Sequence, residues 1–278
     1  LPTSSLGSGI EAHNHEAGFV DRLLEPPMIR RGVIALATIW ALTLTTVYTI
    51  WLRDGCQPFM PFISDTHVYP GSDFAFTLGF VAAGALMLLS VWQVGTYRGL
   101  WLEASGVEPK WVSINRLGTY SGMVGGICVV WIADTPWDEE LILHIAQAFF
   151  IFGGGIMFVI CQTLVTGPMS RIEPRLERLK TPRLALLILI VASLCLMLLN
   201  FVRMSAVASD LTVMDTHFAE VELCTTLTYQ ALSEAAFFEW TMTAGLGLSI
   251  LTILPEFNIL TESFTPNGIE AVESESEE

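Results

Sequence analysis

Residues 184–202 decide the fold, because they read LALLILIVASLCLMLLNFV and contain no charged side chain. An α-helix of about 20 apolar residues is long enough to cross the hydrocarbon core of a bilayer. Similar stretches, the last of them with two acids, lie at residues 32–52, 74–97, 117–133, 141–166 and 231–254. Strands of membrane barrels are only about 10 residues long and alternate polar with apolar positions, so they are excluded. The sequence predicts an all-α, polytopic membrane protein, a six-transmembrane-helix bundle.

The composition supports a membrane protein. Of the 278 residues, 52% are hydrophobic and only 15% are charged, whereas soluble domains average about 25% charged residues. The formal net charge of −15 argues against nucleic acid as a partner, because phosphate binding requires clustered Lys and Arg. Membrane lipids are the expected partners, with cytosolic or membrane proteins beside them. No Walker loop, nucleophile elbow or dinucleotide fingerprint occurs, so we predict no cofactor, no metal and no catalytic residue.

Lys and Arg are concentrated on one side of the predicted spans. The other side holds only Arg53 and Arg203. Because positively charged loops stay in the cytosol, both termini are expected there. The chain then divides into a cytosolic N-terminal segment (1–31), a six-helix transmembrane domain (32–254) and an acidic cytosolic tail (255–278) that is expected to be disordered.

A basic cytosolic loop joins the fourth and fifth predicted spans. It contains Arg171, Arg175, Arg178, Lys180 and Arg183. Such a cluster can contact anionic lipid headgroups, or it can serve only to set the topology. The sequence leaves both readings open.

Glycines recur every four residues in the third predicted span, at Gly118, Gly122 and Gly126. This spacing places them on one face of a helix. Small residues on such a face let helix backbones approach closely in lipid, so we predict a role in helix packing.

Glu239 is the most informative single side chain. It lies about nine residues inside the last predicted span, where a charged group costs a few kcal/mol unless it is paired, hydrated or neutral. It must therefore face the bundle or a water-filled cleft. Ser64 and Asp65 lie in the first predicted outer loop and His144 lies at the start of the fourth span, so Asp65, His144 and Glu239 can converge in the outer half of the bundle.

These outer residues allow several interpretations. The loop that contains Ser64 and Asp65 can be a rigid cap on the second span, or part of a polar site at the outer membrane surface. Asp65, His144 and Glu239 can form a hydrogen-bond network or a pocket for a lipid headgroup. A metal triad is a further reading, but no HExxH-like spacing supports it.

Two of the five cysteines, Cys56 and Cys224, fall in predicted outer loops. Those loops face an oxidising compartment if the outside is a lumen or the extracellular space. A Cys56–Cys224 disulfide would tie the first span to the last. The sequence cannot decide whether the geometry allows it.

Three blocks of sequence resemble one family of six-helix membrane proteins. The blocks are PFISDT at 61–66, the glycine-rich stretch 115–133 with His144, Phe150, Gly154 and Gln162 after it, and Ser233 through Glu239-Trp240 to Glu256-Phe257. The chain resembles the group around the damage-regulated autophagy modulators (DRAM), the TMEM150 proteins, the fungal suppressor-of-four-kinase protein and a GPI-anchor remodelling factor. It departs from the family pattern at 67–71, where HVYPG replaces a glycine and a Pro-Pro-Glu-like turn, and at Glu256, where the family often has Asp.

The resemblance implies a multi-pass protein of the plasma membrane, the lysosome or other endomembranes. Members of the family are linked to autophagy, phosphoinositide-kinase recruitment, lipid asymmetry and GPI-lipid remodelling. No active site is carried over. Asp65, His144 and Glu239 match only as signature positions, and Trp240 joins them through the family's acid-Trp pair.

The resulting hypothesis is a non-enzymatic membrane protein that organises or senses lipids through an outer polar cleft and recruits partners. One alternative is an enzyme that remodels a lipid or a GPI anchor. The other is an accessory subunit of a larger membrane complex.

Overall fold

The computed structural model describes residues 18–58, 61–207, 212–224 and 229–263. This part of the chain is helical and contains no strand. The helices are α1 (Phe19–Leu23), α2 (Pro26–Arg53), α3 (Asp65–Val68), α4 (Asp73–Ala104), α5 (Pro109–Ile132), α6 (Leu141–Ile172), α7 (Lys180–Val207), α8 (Thr212–Glu222), α9 (Gln230–Leu251) and α10 (Ile253–Ser263). The prediction of an all-α membrane fold is confirmed.

Within the described ranges, five segments are long and apolar enough to cross a membrane. They are Pro26–Arg53, Asp73–Ala104, Leu141–Ile172, Pro174–Met204 and Gln230–Glu262. Helix α5 is not among them, because polar residues and glycines occupy much of its length. The count of six spans and the cytosolic side of both termini therefore stay predictions.

The folded region extends beyond the predicted domain borders at both ends. Helix α2 begins at Pro26, since proline suits the first helical turn, where its missing N–H would have no partner. Helix α10 continues to Ser263, so the first part of the predicted tail (255–278) is a helix packed on the bundle. Residues 1–17 and 264–278, which make up most of the predicted terminal segments, lie outside the described residues.

The six long helices contact one another in the order α2, α4, α5, α6, α7, α9, and α9 also contacts α2. These contacts are uneven. Helix α5 packs extensively against both α4 and α6, whereas α6 and α7 contact each other much less. This sparse contact leaves space for a cavity between α6 and α7.

Glycines explain the close packing of α5. A methyl group at Gly118 would lie 2.6 Å from the Cβ of Cys161 on α6, and one at Gly126 would lie 3.0 Å from the backbone nitrogen of Leu88 on α4. Gly122 faces side chains of both neighbouring helices. The three glycines therefore lie on the face of α5 that packs between two partner helices, α4 and α6.

One end of the bundle carries a disulfide, and we call it the disulfide end. Cys56, just after α2, is joined to Cys224, just after α8, with their Cα atoms 4.7 Å apart. The pair packs against the buried side chains of Trp51 and Val221. The disulfide therefore ties α8 to the end of α2. The sequence had left open whether this bond forms.

The opposite end is held by buried charged side chains. The sequence analysis had placed two of them, Arg183 and Glu256, in a basic loop and in the acidic tail. Glu256 of α10 accepts hydrogen bonds from Arg98 of α4 at 2.6 and 3.2 Å, and it also forms an ion pair with Arg183 of α7. These three side chains are only 1–3% exposed. Arg183 donates further bonds to the hydroxyl of Thr166 (2.7 Å) and to the carbonyl oxygen of Thr252 (3.1 Å).

The sequence placed Arg183 in a basic cytosolic loop, and the structure corrects this placement. Arg183 lies in the first turn of α7 and points into the bundle, because α10 folds back and brings Glu256 to it. The other four basic residues stay near the surface. Among them, Arg175 pairs with Glu173 and Lys180 pairs with Glu177.

We expect Glu256→Gln to lower the free energy of unfolding by about 3–5 kcal/mol, because it leaves two buried arginines without their shared carboxylate. Thermal unfolding of the full chain in mild detergent measures this change. The matched control is Glu262→Gln on the same helix, where the lost partner of Arg175 is exposed and the cost should stay below about 1 kcal/mol. Equal losses in the two variants would contradict the proposed role of the buried ions.

Candidate functional site

Two neighbouring residues of α9 hold the loop at residues 61–68 in place. The Glu239 carboxylate accepts a hydrogen bond from the backbone N–H of Ile63 (2.7 Å). The indole N–H of Trp240 donates to the carbonyl oxygen of Pro61 (2.7 Å). The acid and the tryptophan thus bind the backbone of the loop two residues apart. Their bonds fix residues 61–68 against the bundle and give both signature positions a physical role.

The loop folds around Asp65. Its carboxylate accepts a hydrogen bond from the backbone N–H of Phe62 (2.9 Å), which closes the turn at the start of α3. The Thr66 hydroxyl donates to the carbonyl oxygen of Ile63 (2.6 Å), and the Ser72 hydroxyl donates to that of Thr66 (2.6 Å). The turn therefore has its own internal bonds, and Asp65 is left buried with oxygen atoms facing inward.

His217 of α8 is the partner of Asp65, and the sequence analysis missed it. Its Nε2 atom lies 3.1 and 3.3 Å from the two carboxylate oxygens. The ring is buried, and it packs between the aromatic rings of Trp137 and Phe62. Burial lowers the pKa of His217, but the nearby carboxylates of Asp65 and Glu220 outweigh this effect, so the pKa is raised overall.

His144, in the first turn of α6, is held in a defined orientation. Its Nδ1 atom lies 2.7 Å from the carbonyl oxygen of Thr135. Because a carbonyl oxygen only accepts, Nδ1 carries the hydrogen. The neutral ring therefore has its lone pair on Nε2. Gln147, one turn further along α6, donates to the Thr135 hydroxyl (3.1 Å) and supports the same contact.

These residues surround one cavity of about 620 Å³ between α6 and α7. Its polar lining is confined to the disulfide end and consists of Ser64, Asp65, His144, His217 and Glu239. The remaining described lining is aliphatic and aromatic, apart from the backbone of Gly153. None of the described lining residues is Lys or Arg.

The cavity opens through the side of the bundle. Phe149 of α6 and Leu198 of α7 both line it, and they are 72% and 51% exposed. Both helices belong to the candidate membrane spans. The opening therefore lies between two candidate membrane spans. Gly153 forms part of the wall, and a methyl group there would meet no atom within 4 Å.

The structure brings together four of the five residues that the sequence assigned to a polar site. Ser64, Asp65, His144 and Glu239 line the cavity. Trp240 lies beside it and acts on the loop. Glu234 is not part of this site and forms an ion pair with Arg203 at the surface.

The described residues include no group of three or more His, Cys, Asp and Glu side chains placed to hold a metal ion. The arrangement of Asp65, His144 and Glu239 therefore gives no support to the metal-triad reading. It can instead offer hydrogen-bond acceptors and one imidazole to a polar group in the cavity.

The raised pKa of His217 predicts a pH-dependent contribution to stability. The Asp65–His217 pair stabilises the fold fully below the unfolded-state pKa of 6.5, and this contribution is lost as the pH rises through the raised folded-state pKa. We therefore expect His217→Gln to cost more stability at about pH 6 than at about pH 9. Thermal unfolding in detergent at both pH values measures the difference.

His67 supplies a control of opposite sign. Burial, partly offset by Asp73, lowers its pKa, so the wild-type protein loses stability when the pH falls far enough to protonate it. His67→Gln should therefore cost less stability at about pH 6 than at about pH 9. The same pH trend in both variants would argue against the Asp65–His217 ion pair.

Comparison with known proteins identifies the family. The family model described as Frag1/DRAM/Sfk1/Cwh43P N-terminal domain matches residues 32–260, so the chain belongs to this family of membrane proteins. No curated protein and no solved structure matches the chain.

Proposed function

We propose that this family member is a non-enzymatic, lipid-binding membrane protein. It holds a membrane lipid in the cavity between α6 and α7, and in this way organises or senses lipids. The observation that carries the proposal is a cavity with apolar walls, an opening between two candidate membrane spans and a single polar end. This arrangement matches the amphipathic shape of a lipid.

The walls suit an acyl chain. Aromatic and aliphatic side chains such as Phe152, Ile156 and Met197 line the cavity. A volume of about 620 Å³ is within the range of small-molecule sites. It is suited to part of a lipid, with the remainder extending through the side opening. The polar end provides acceptors for the headgroup.

The disulfide end is assigned to the outer or lumenal face. Disulfides persist in oxidising compartments, and the excess of Lys and Arg at the opposite end favours the cytosol for that end. The lipid would then come from the outer leaflet. The plasma membrane has such an outer face, and lysosomal and other endomembranes have a lumenal one.

Partner recruitment is assigned to the opposite end. Arg171, Arg175 and Arg178 are exposed there and can contact anionic lipid headgroups or acidic proteins. The acidic residues 264–278 continue from that end in sequence, after α10. A role in autophagy or phosphoinositide-linked membrane regulation rests on the family alone.

An enzyme that remodels a lipid or a GPI anchor is the second candidate. The observation that favours it is the Asp65–His217 contact, since a carboxylate commonly orients a histidine in acid–base catalysis. His144 Nε2 would be a second base. Lipid turnover by the purified protein that is abolished by His144→Ala would support the enzyme and overturn the non-enzymatic reading.

The test of lipid binding is to fill the cavity. Gly153→Leu places a side chain in the cavity without a backbone clash, so we expect the amount of copurifying lipid to fall by about tenfold. Native mass spectrometry of the full chain, released from mild detergent, measures retained lipid.

The matched control is Gly167→Leu. Gly167 lies on the same helix outside the cavity, and a methyl group there also meets no atom within 4 Å. This variant should retain lipid at the wild-type level. Equal retention of lipid by the two variants would overturn the proposal.

A further inference from the structure

We propose that the polar end of the cavity selects a zwitterionic headgroup with a primary ammonium, the phosphoethanolamine class. This inference rests on the proposed lipid-binding function and specifies its ligand. It follows from the balance of charge and of hydrogen-bond donors and acceptors around the cavity.

Glu239 is a carboxylate without a cation. Within the described part of the chain it accepts one hydrogen bond, from the backbone of Ile63, and it forms no salt bridge. Asp65 is close enough to add negative potential at Glu239. Since the described lining contains no Lys or Arg, an ammonium group entering the cavity would supply the missing positive charge.

Asp65 is a weaker site for that cation, because His217 already contacts the Asp65 carboxylate. Both carboxylate oxygens contact the Nε2 atom of His217. When His217 is protonated, the histidine and Asp65 together carry no net charge. Glu239 is therefore the unmatched carboxylate of the site, and the preferred position for an ammonium lies beside it.

Further acceptors suit a group with several N–H donors. The lone pair of His144 Nε2 is available because Nδ1 donates to Thr135. Asp138 adds negative charge near His144. Aromatic rings that line the cavity, including Phe62 and Trp137, can also stabilise a cation through their faces. A primary ammonium has three donors and can use these sites together.

His217 adds a complementary donor. Its Nδ1 atom is buried and has no hydrogen-bond partner among the described residues, although the ring lines the cavity and is only 3% exposed. In the protonated ring this nitrogen carries a hydrogen, which needs an acceptor. A phosphate or ester oxygen of the same lipid would provide it. The site thus offers acceptors for a cation and a donor for an anionic oxygen.

This pattern discriminates among headgroups. A choline head carries a cation but no N–H donors, so it cannot satisfy Glu239 and His144 by hydrogen bonding. A glycerol head has no cation and leaves a phosphate near two carboxylates. Free phosphoethanolamine has the right polar groups but lacks the acyl chains that the apolar walls would bind.

The test is competition among lipids with identical acyl chains. The full chain, delipidated in detergent, is given equal amounts of phosphatidylethanolamine, phosphatidylcholine and phosphatidylglycerol, and bound lipid is measured by native mass spectrometry. We expect phosphatidylethanolamine to exceed each of the others by about tenfold. Free phosphoethanolamine, added in excess, should not displace it.

Glu239→Gln removes the charge but keeps an oxygen for the Ile63 N–H, so the preference should fall to about twofold or less. Glu234→Gln, on the same helix but paired with Arg203 at the surface, should keep the full preference. The wild-type comparison does not depend on the folding of either variant.

The outcomes separate this inference from the proposed function. Binding of all three lipids without preference, preference for phosphatidylcholine or phosphatidylglycerol, or an undiminished preference in Glu239→Gln would overturn the headgroup assignment alone. Displacement by free phosphoethanolamine would instead show that the polar group is recognised without acyl chains, which would overturn the lipid as the ligand and with it the proposed function. Failure to bind any lipid would overturn the proposed function and this inference with it.

Discussion

The Glu239 carboxylate lies inside a candidate membrane-spanning helix and binds the backbone of the loop at residues 61–68. This bond helps to hold the loop in place. An ionisable group at this depth costs a few kcal/mol unless it has a partner, and the Ile63 N–H is one that Glu239 finds. The adjacent Trp240 adds a bond to Pro61. The loop is thereby tied to α9 at two consecutive peptide groups. These bonds act together with the contact between Asp65 and His217 to fix Asp65 at the end of the cavity.

The remaining closure of the cavity follows from this constraint. Asp65 attracts His217, and the disulfide holds α8 near the end of α2 so that His217 can reach it. Helix α8 thus covers the disulfide end of the bundle. The side between α6 and α7 is left open, because those two helices contact each other much less than α5 contacts its neighbours. The result is a cavity that is closed and polar at one end and open to lipid at its side.

The sequence predicted the all-α membrane fold, and it singled out four residues that line the cavity, because those features follow from local physics. Long apolar runs have few structural alternatives, and the cost of burying Glu239 places it against the bundle or a cleft. His217 could not be found in this way. It lies on a short polar helix between two spans, and its partner is distant in the sequence. Counting charges at span ends also placed Arg183 and Glu256 at the surface, since it cannot foresee that α10 folds back into the bundle.

Glycines determine part of the packing and of the cavity, and sequence patterns did not predict how. The repeated glycines of α5 were expected to act in packing, but their division between α4 and α6 depends on the arrangement of three helices. Gly153 was no candidate, because its role is to leave space in a wall. Such a role becomes visible only once the opposite wall, on α7, is in place.

The most direct measurement is a high-resolution density map of the full chain in a lipid nanodisc. We predict elongated density that begins beside Glu239 and His217 and leaves the bundle between Phe149 and Leu198. A cavity that contains only water, or α6 and α7 closed together along their length, would contradict the account.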